Sequence, residues 1–265
     1  MSSARLQEEG TACLQARTFF CKLIRRMPES EMEQNQAQLD SWNRAGHRGR
    51  NRWEAITMKK TVITIARSYG SGGRTLGKLL AERLGMNCYD REILRMASDE
   101  SGINEALFGQ ADEKLKKSPL MGILRKNPYK GGVIPPESSD FVSDDNLFNY
   151  QAKVIRELAE QESCIIIGRC ADYVLKDNPD VLRLYFYAPL EDCVARVMNQ
   201  NGLTEKEAVK KIEKIDKYRA DYYHYYTGRD WNDARNYDFC LDTTSMSYEK
   251  LTEVVENFIK IYQKP

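Results

Sequence analysis

The chain has 265 residues, enough for one medium-sized domain or two small ones. Hydrophobic residues make up 42% and charged residues 30% of it, so it can bury a core. A formal net charge of +1 gives no basic field of the kind that attracts nucleic acid. No apolar stretch reaches the roughly 20 residues needed to cross a bilayer, which argues against a membrane protein.

The seven cysteines are scattered along the chain without a C-x-x-C pair, and only His47 and His224 could complete a metal site with them. This spacing is typical of reduced core thiols, and it argues against a zinc site. The start of the chain does not read as a secretory signal, because Arg and Lys interrupt its apolar residues. We therefore expect a cytoplasmic protein.

Residues 1–57 differ in composition from the rest of the chain. They are rich in Gln, Glu, Arg, Asn and Ser, lack β-rich runs, and have almost no apolar residues in their second half. Such a composition predicts disorder. Met58-Lys59-Lys60, directly before a strand, looks like a natural translation start. We predict a disordered extension over 1–57, either upstream sequence from start-site assignment or a targeting or partner-binding arm, and one domain over 58–265.

From Lys60 onward, strand and helix patterns alternate. Uncharged β-branched runs predict buried strands, and apolar residues at helical spacing predict helices. In chain order the predicted elements are a strand at 61–66, helices at 75–84, 91–100, 104–117 and 147–161, strands at 164–168 and 181–187, helices from about 190 and at 204–226, a strand at 237–241 and a helix at 248–262. Strands separated by helices imply right-handed βαβ units and an α/β fold with a parallel sheet.

Two local signals refine this outline. Residues 118–145 are rich in Pro, Gly and Ser, and a connection of that length suggests a mobile or substrate-covering segment. Thr204 and Glu207 have the spacing of a capping box, which predicts where the long helix begins.

A glycine-rich segment, Arg67-Ser-Tyr-Gly70-Ser71-Gly72-Gly73-Arg74-Thr75, lies between the first predicted strand and the first helix. Such a turn allows several backbone N–H groups and the helix N-terminus to surround a phosphate. The Thr75 hydroxyl is placed to meet a magnesium ion or a phosphate. The segment satisfies neither G-x-x-x-x-G-K-[ST] nor G-x-G-x-x-G. A tight turn whose glycines only allow helix and sheet to pack closely is the alternative.

Over nearly all of residues 60–262 the chain resembles the cytidylate kinases, P-loop enzymes that phosphorylate CMP and dCMP. The resemblance rests on Val62-Ile-Thr-Ile with the glycine-rich segment, Tyr89-Asp90-Arg91, Ile165-Ile-Ile-Gly168-Arg169, Asp216 with Arg219, and Tyr237-Asp-Phe-Cys-Leu-Asp-Thr-Thr-Ser. It is closer still to the cytidylate kinase-like subgroup, through S-Y-G-S-G-G-R and G-R-C-A-D-Y. It implies a P-loop NTPase three-layer sandwich, with helices on both faces of a central parallel sheet and a helical lid.

One position departs from the true cytidylate kinases. In register with them, the P-loop lysine falls on Gly73. That lysine bridges the donor's terminal phosphates and stabilises the charge of the moving phosphoryl group. Arg74 is the next residue, about 100° further around the helix, so it can reach a phosphate by a different route or point away. The departure bears on turnover more than on phosphate binding.

Charged residues at strand ends are the next candidates. Arg169 follows a buried strand and would emerge at its C-terminal end, where open α/β sheets bind ligands. We assign Arg169 to the acceptor's phosphate, with a helix cap or a salt bridge as the alternative. Asp90 and Arg91 also fall at a strand end. Arg91 is the second acceptor contact, and Asp90 is a candidate for the acceptor or a magnesium-bound water.

The resemblance adds three further arginines. Arg196 lies in the helix after the third main strand, where the family has an arginine that opens the lid, and we group it with the substrate-binding residues. Arg219 and Arg229 belong to a segment rich in tyrosine that the family uses as a lid over the donor, near the β and γ phosphates. The alternative is a helix that packs its tyrosines on the core while its cations face water.

These features predict an ATP- and Mg²⁺-dependent kinase of a small acceptor, with CMP or dCMP as first candidates. The predicted donor-phosphate residues are Gly70, Ser71, Gly72, Gly73, Thr75 and Arg229, and the predicted catalytic residues are Arg74, Arg219 and Arg169. A nucleotide sensor without turnover is the second hypothesis, supported by the missing lysine. A nucleic-acid-binding protein is the third, which the slightly acidic core disfavours. The acceptor's identity and the oligomeric state are left open.

Overall fold

The computed structural model describes residues 60–113 and 131–262. Within them, parallel strands form one sheet in the order β2-β3-β1-β4-β5. The strands are β1 (Val62–Arg67), β2 (Asn87–Tyr89), β3 (Cys164–Ile167), β4 (Val181–Tyr187) and β5 (Phe239–Asp242). The predicted α/β fold with a central parallel sheet is confirmed, while the prediction for residues 1–57 lies outside the described residues.

The helices lie close to their predicted positions. They are α1 (Gly73–Leu84), α2 (Glu92–Ser101), α3 (Glu105–Glu113), α4 (Asp144–Gln161), α5 (Ala171–Val174), α6 (Leu190–Asn201), α7 (Glu205–Thr227) and α8 (Tyr248–Tyr262), with a 3-10 turn at Ala234–Asn236. The start of α4 is three residues earlier than predicted, because the Ser143 side chain accepts a hydrogen bond from the Asn146 N–H at its N-terminus. The last residues of the helix predicted at 104–117 lie outside the described residues.

Strand β1 is the centre of the sheet and separates two cores. Val62 faces a core built from α2, α4 and α7, whereas Ile63 and Ile65 face a core built from α1 and α8. Alternate side chains of a strand point to opposite faces, so a fully buried strand needs helices on both sides. This arrangement is the expected three-layer sandwich.

Helix α7 begins and ends with sequence signals. The Thr204 N–H donates to the Glu207 carboxylate at 2.9 Å, which confirms the capping box. At the other end, Gly228 adopts a left-handed conformation and its N–H donates to the His224 carbonyl. The tyrosines near that end pack on the core, and the ring of Tyr226 stacks on that of Phe148 with 3.9 Å between centroids. For these tyrosines the core-packing alternative is correct.

The described part of the long connection, residues 131–143, is anchored to α4. The buried Asn146 amide accepts from the Ile134 N–H and donates to the carbonyls of Ile134 and Phe141, at 2.6, 3.0 and 2.8 Å. One amide thus satisfies three backbone groups of an irregular segment. The rest of the connection lies outside the described residues.

No helix in the described ranges is both long and apolar enough to cross a membrane. The cysteines there carry free thiols: Cys164, Cys170 and Cys193 are buried, and Cys88 and Cys240 are partly buried. The expected reduced core thiols are therefore present in this part of the chain.

Burial should make these thiols slow to react. Burial, and then the nearby Asp90 charge, raise the pKa of Cys88 to about 11, and burial followed by the Glu162 charge raises the pKa of Cys164 to about 12. At pH 8 a thiol with a pKa of 11 is ionised to about one part in a thousand, and the thiolate is the reactive form. We expect iodoacetamide to label both residues far more slowly in the folded than in the unfolded protein. Equal labelling rates at Cys88, measured by peptide mass spectrometry, would contradict this environment.

Candidate active site

The glycine-rich loop, residues 68–72, connects β1 to the N-terminus of α1. Gly72 is the N-cap of α1 and has a φ of 79°, and as a glycine it has no side chain to cap the helix. The first turn contains no acidic residue. An uncapped helix N-terminus presents backbone N–H groups and the positive end of the helix dipole, which together favour a bound anion. The local geometry therefore fits a phosphate group.

Contacts from neighbouring elements explain the glycines as well. A Cβ on Gly70 would lie 2.9 Å from the Cys193 carbonyl oxygen, and one on Gly72 would lie 1.9 Å from the Tyr248 hydroxyl. Gly70 also has a φ of 82°, which disfavours other residues. Both interpretations of these glycines therefore apply: they allow close packing, and they give the loop an anion-binding geometry.

Hydrogen bonds of the Ser71 and Arg196 side chains stabilise the backbone of the glycine-rich loop. The fully buried Ser71 hydroxyl donates to the Ser68 carbonyl at 2.9 Å and accepts from the Gly73 N–H at 3.3 Å. Arg196 Nη1 donates to the Ser71 carbonyl at 2.7 Å, and its Nη2 donates to the Thr243 carbonyl at 3.3 Å. These contacts connect the loop to α6 and to the turn after β5. Arg196 therefore lies against the backbone of the loop.

Three strand ends bring charged side chains together around Asp90, which follows β2. Arg74 Nε lies 2.7 Å from Asp90 Oδ2, Arg67 Nη2 lies 3.8 Å from Asp90 Oδ1, and Arg169 Nε donates to the Asp90 carbonyl at 2.8 Å. The Asp90 side chain is only 11% exposed. Because the C-terminal ends of adjacent parallel strands meet at one edge, this cluster occupies the usual ligand side of an open α/β sheet.

Arg169 is held in an unusual backbone conformation. Gly168, Arg169 and Cys170 have φ values of 76°, 56° and 53°, so three consecutive residues after β3 are left-handed. Outside glycine this conformation costs about 1–2 kcal/mol per residue, and it is concentrated at functional sites. Arg169 Nη1 also donates to Gln151 of α4 at 3.2 Å. The turn directs the Arg169 guanidinium toward the end of β2.

Helix α7 is joined to the glycine-rich loop by Asp216. Its carboxylate accepts from the Tyr69 N–H at 2.8 Å, and Arg219 Nη1 lies 3.2 Å from the same oxygen. Arg219 Nη1 also donates to the Arg67 carbonyl at 3.1 Å, and its guanidinium lies over the Tyr69 ring. Burial raises the pKa of Asp216 and lowers the pKa of Arg219. The Asp216 carboxylate therefore accepts the hydrogen bond of one loop N–H, beside the partly desolvated guanidinium of Arg219.

Other predicted residues lie apart from this cluster. Arg229 lies just beyond the C-terminal end of α7, over the ring of Tyr173 and 5.2 Å from its centroid. Arg91 is exposed at the start of α2. Thr75 is exposed in the first turn of α1. The described residues contain no group of three or more His, Cys, Asp or Glu side chains suited to a metal.

A cavity of about 340 Å³ opens beside the glycine-rich loop, between β4 and α7. Its aromatic walls include Tyr185 and Trp231, whose rings meet edge to face at 5.8 Å, and the Tyr185 hydroxyl donates to Asn232 at 3.1 Å. The full lining is Ser68, Tyr185, Tyr187, Ala188, Asp216, Lys217, Ala220, Trp231 and Asn232. Flat rings with polar groups at their edges suit a planar heterocycle.

Three contributors to the site were not predicted from the sequence: Arg67, Gln151 and Thr243. Arg67 ends a buried strand and Arg169 follows another, so a position at a strand end was an available signal. Gln151 and Thr243 act by hydrogen bonds to other site residues. Nothing in their local sequence indicates such contacts.

The model of the cytidylate kinase-like family matches residues 62–245, which include the glycine-rich loop, Asp90, the Arg169 turn and α7. The chain belongs to the cytidylate kinase-like family. The match covers more than half of the chain, and the predicted family membership is thereby confirmed.

Individual relatives agree with this membership. The chain is 28% identical over 204 residues to a cytidylate kinase from Methanopyrus kandleri, which covers 74% of this chain and 91% of the relative. It is 27% identical over 198 residues to a cytidylate kinase from Pyrococcus horikoshii, covering 74% and 87%. The crystal structure of an uncharacterized protein from Eubacterium ventriosum, 28% identical, has a TM-score of 0.56 and covers 76% of this chain and 99% of that chain.

The loop contacts of Arg196 can be tested by Arg196→Met. This change leaves the carbonyls of Ser71 and Thr243 without their guanidinium donor, so we expect the free energy of unfolding to fall by about 1–3 kcal/mol. Weaker binding of MgATP should accompany the loss of stability. Arg235→Met is the control, because Arg235 is exposed and pairs only within its own turn with Asp233. Urea unfolding and calorimetry measure both effects, and unchanged values for Arg196→Met would exclude this role.

Proposed function

We propose that the protein transfers the terminal phosphoryl group of ATP to a nucleoside monophosphate, with CMP or dCMP as the preferred acceptor. The observation that carries the proposal is the position of four arginines between an uncapped helix N-terminus and the strand ends: Arg67, Arg74, Arg169 and Arg219. Phosphoryl transfer needs mainly positioning and cations around the moving group, which this arginine cluster supplies.

The glycine-rich loop and α1 form the proposed donor side. The uncapped N-terminus of α1 fits the donor's phosphates, and the exposed Thr75 hydroxyl lies in the same first turn. Mg²⁺ commonly uses one or two protein oxygens together with phosphate oxygens and waters, so a single hydroxyl beside the loop fits its needs. When bound, Mg²⁺ would neutralise part of the phosphate charge. The aromatic cavity beside Ser68 is the proposed place for a nucleobase.

Arg74 and Arg219 are the proposed cations for the moving group. Each is paired with one carboxylate, Arg74 with Asp90 and Arg219 with Asp216. The Arg74 side chain is 51% exposed, so its guanidinium can turn from Asp90 to an incoming phosphate with little rearrangement of the core. Arg219 already lies against the loop, and burial lowers its pKa. A phosphate there would therefore stabilise the charged form of the Arg219 guanidinium, which has lost part of its hydration.

Arg169 is the proposed anchor of the acceptor's phosphate. The left-handed turn and the Gln151 contact hold its guanidinium at the end of β2, against the carbonyl of the residue that precedes Arg91. Asp90 separates Arg169 from Arg74 and fixes the spacing of the two sides. Arg91 and Asp90 stay proposed acceptor contacts, and Arg229 stays a proposed donor contact reached only by movement of the end of α7.

A sensor that binds nucleotide without turnover is the second candidate. It is supported by Gly73, which stands where the true cytidylate kinases have their lysine. The arginine cluster favours a kinase, because pure binding does not require cations from β1, α1, α7 and the turn after β3 together. The two candidates differ in one measurable respect, which is acceptor-dependent release of ADP.

The deciding assay measures ADP release by the full chain with MgATP and a panel of CMP, dCMP, UMP and AMP. We expect release that depends on CMP or dCMP. In that assay Arg169→Met should raise the KM for the acceptor about 10- to 100-fold, because a charge-assisted hydrogen bond to a phosphate is lost. Arg74→Met should chiefly lower kcat. Arg235→Met again serves as the control, since its exposed side chain lies outside the arginine cluster.

The possible results separate the two candidates. Tight MgATP binding without ADP release for any acceptor favours the sensor. Release that is unchanged by both Arg169→Met and Arg74→Met would show that the catalytic assignment is wrong, even if the protein is a kinase.

A further inference from the structure

Arg67 has a side chain that crosses the site from the donor side to the acceptor side. It is the last residue of β1, and its side chain is 18% exposed. Its Cβ and Cγ pass beside Gly73 at the start of α1, and its guanidinium lies over Gly168 at the end of β3. Nη2 is 3.8 Å from Asp90 Oδ1. Arg67 therefore lies between the glycine-rich loop and the Arg169 turn.

The space beside Gly73 is taken by Arg67. A Cβ placed on Gly73 would lie 2.7 Å from the Arg67 Cβ and 3.0 Å from the Phe186 Cβ. Unlike Gly70 and Gly72, Gly73 does not have a positive φ, so its backbone conformation would admit other residues. The lack of a side chain at Gly73 is therefore explained by steric exclusion.

Gly168 makes room for the other end of the same side chain. A Cβ on Gly168 would displace Arg67 Nη1, the end of that side chain, and the φ of 76° at Gly168 favours glycine there as well. Thus Gly73 and Gly168, at the two ends of the Arg67 side chain, both lack a side chain where Arg67 passes. The sequence places a long cation at the end of β1 and removes the side chain from the helix position that carries the lysine in true cytidylate kinases.

We propose that Arg67 is a catalytic residue that contacts the terminal phosphate of the donor and takes the place of the P-loop lysine. This inference rests on the proposed function. In the transfer, an anionic oxygen of the acceptor's phosphate forms a bond to the γ-phosphorus, and the bond from that phosphorus to the β–γ bridging oxygen breaks. The bond's electron pair leaves with ADP. Arg67 neither gains nor loses a proton and stabilises the charge on the transferred group.

The position of Arg67 suits this role better than that of Arg74. Arg74 projects from α1 and makes a 2.7 Å ion pair with Asp90, with half of its side chain exposed. Arg67 passes beneath the helix start and lies between the donor and acceptor sides, where both phosphate groups would be within reach of one planar guanidinium. Arg74 then supports the transfer from the solvent side.

The first test compares Arg67→Met with Arg183→Met. Arg183 in β4 has the same 18% exposure and also pairs with one aspartate, Asp238, but it lies outside the arginine cluster. We expect Arg67→Met to lower kcat about 10²- to 10³-fold, as the loss of one charge-stabilising donor does. Arg183→Met should leave kcat within about threefold of the wild type, within the usual scatter of such effects. An Arg67→Met protein with normal kcat would overturn the inference.

A binding measurement separates this inference from the proposed function. Calorimetry of the full chain without an acceptor gives the affinities for MgATP and MgADP, which differ by the terminal phosphate. We expect the wild type to prefer MgATP by about tenfold or more, and Arg67→Met to lose most of this preference. If the wild type releases no ADP but Arg67→Met still loses the preference, the proposed function fails and the Arg67 contact stands. A preference that survives in Arg67→Met overturns the inference regardless of turnover.

An exchange of the two side chains gives a test that a purely structural role would not pass. Gly73→Lys alone should be nearly inactive, because its side chain collides with the Arg67 Cβ. Arg67→Gly alone should be nearly inactive because the cation is lost. The double variant places the lysine in the vacated space and should regain at least about tenfold in kcat over either single variant, as coupled neighbours can. Recovery will be partial because the Phe186 contact persists. No recovery in a folded double variant would argue against the exchange. If Arg67→Met does not fold, Arg67→Lys takes its place in the binding measurement, and we expect that variant to keep the MgATP preference.

Discussion

Asp90 and Asp216 hold the four arginines of the site together, three through ion pairs and Arg169 through the Asp90 carbonyl. Parallel strands end at one edge of the sheet, so the ends of β1, β2 and β3 lie within about 10 Å of each other. Guanidinium groups at that spacing repel one another. Asp90 balances the groups from β1 and α1, and Asp216 balances the one from α7. The two carboxylates leave an excess of positive charge, which favours a phosphorylated ligand.

Each carboxylate also occupies a position that a phosphate oxygen could take. Asp216 accepts from the Tyr69 N–H of the glycine-rich loop, and Asp90 accepts from the exposed Arg74. The raised pKa of Asp216, caused by burial, shows that its charged form is costly there. A ligand that supplied its own negative charge at the Tyr69 N–H would compete with Asp216 for that donor.

Much of the fold and part of the site could be predicted from the sequence, for identifiable reasons. Buried β-branched runs and helical periodicity marked the central sheet and its helices, and the strand end before Arg169 marked one position of the candidate site. The contacts of Arg196 depend on Thr243 and on the loop backbone, 47 and 125 residues away, and no local pattern encodes them. The aromatic segment of α7 served mainly the core, and Arg229 lies beyond the end of that helix, over the ring of Tyr173.

Gly73 shows why reading one position at a time gives an incomplete answer. Considered alone, a glycine in the register of a catalytic lysine suggests lost activity. In the structure the Cβ of Arg67, from the preceding strand, fills the space in which a Gly73 side chain would begin. Positions 67 and 73 are therefore sterically coupled, so that a side chain at position 73 requires a change at position 67. Because cores are close-packed, a change at either position has meaning only together with the other.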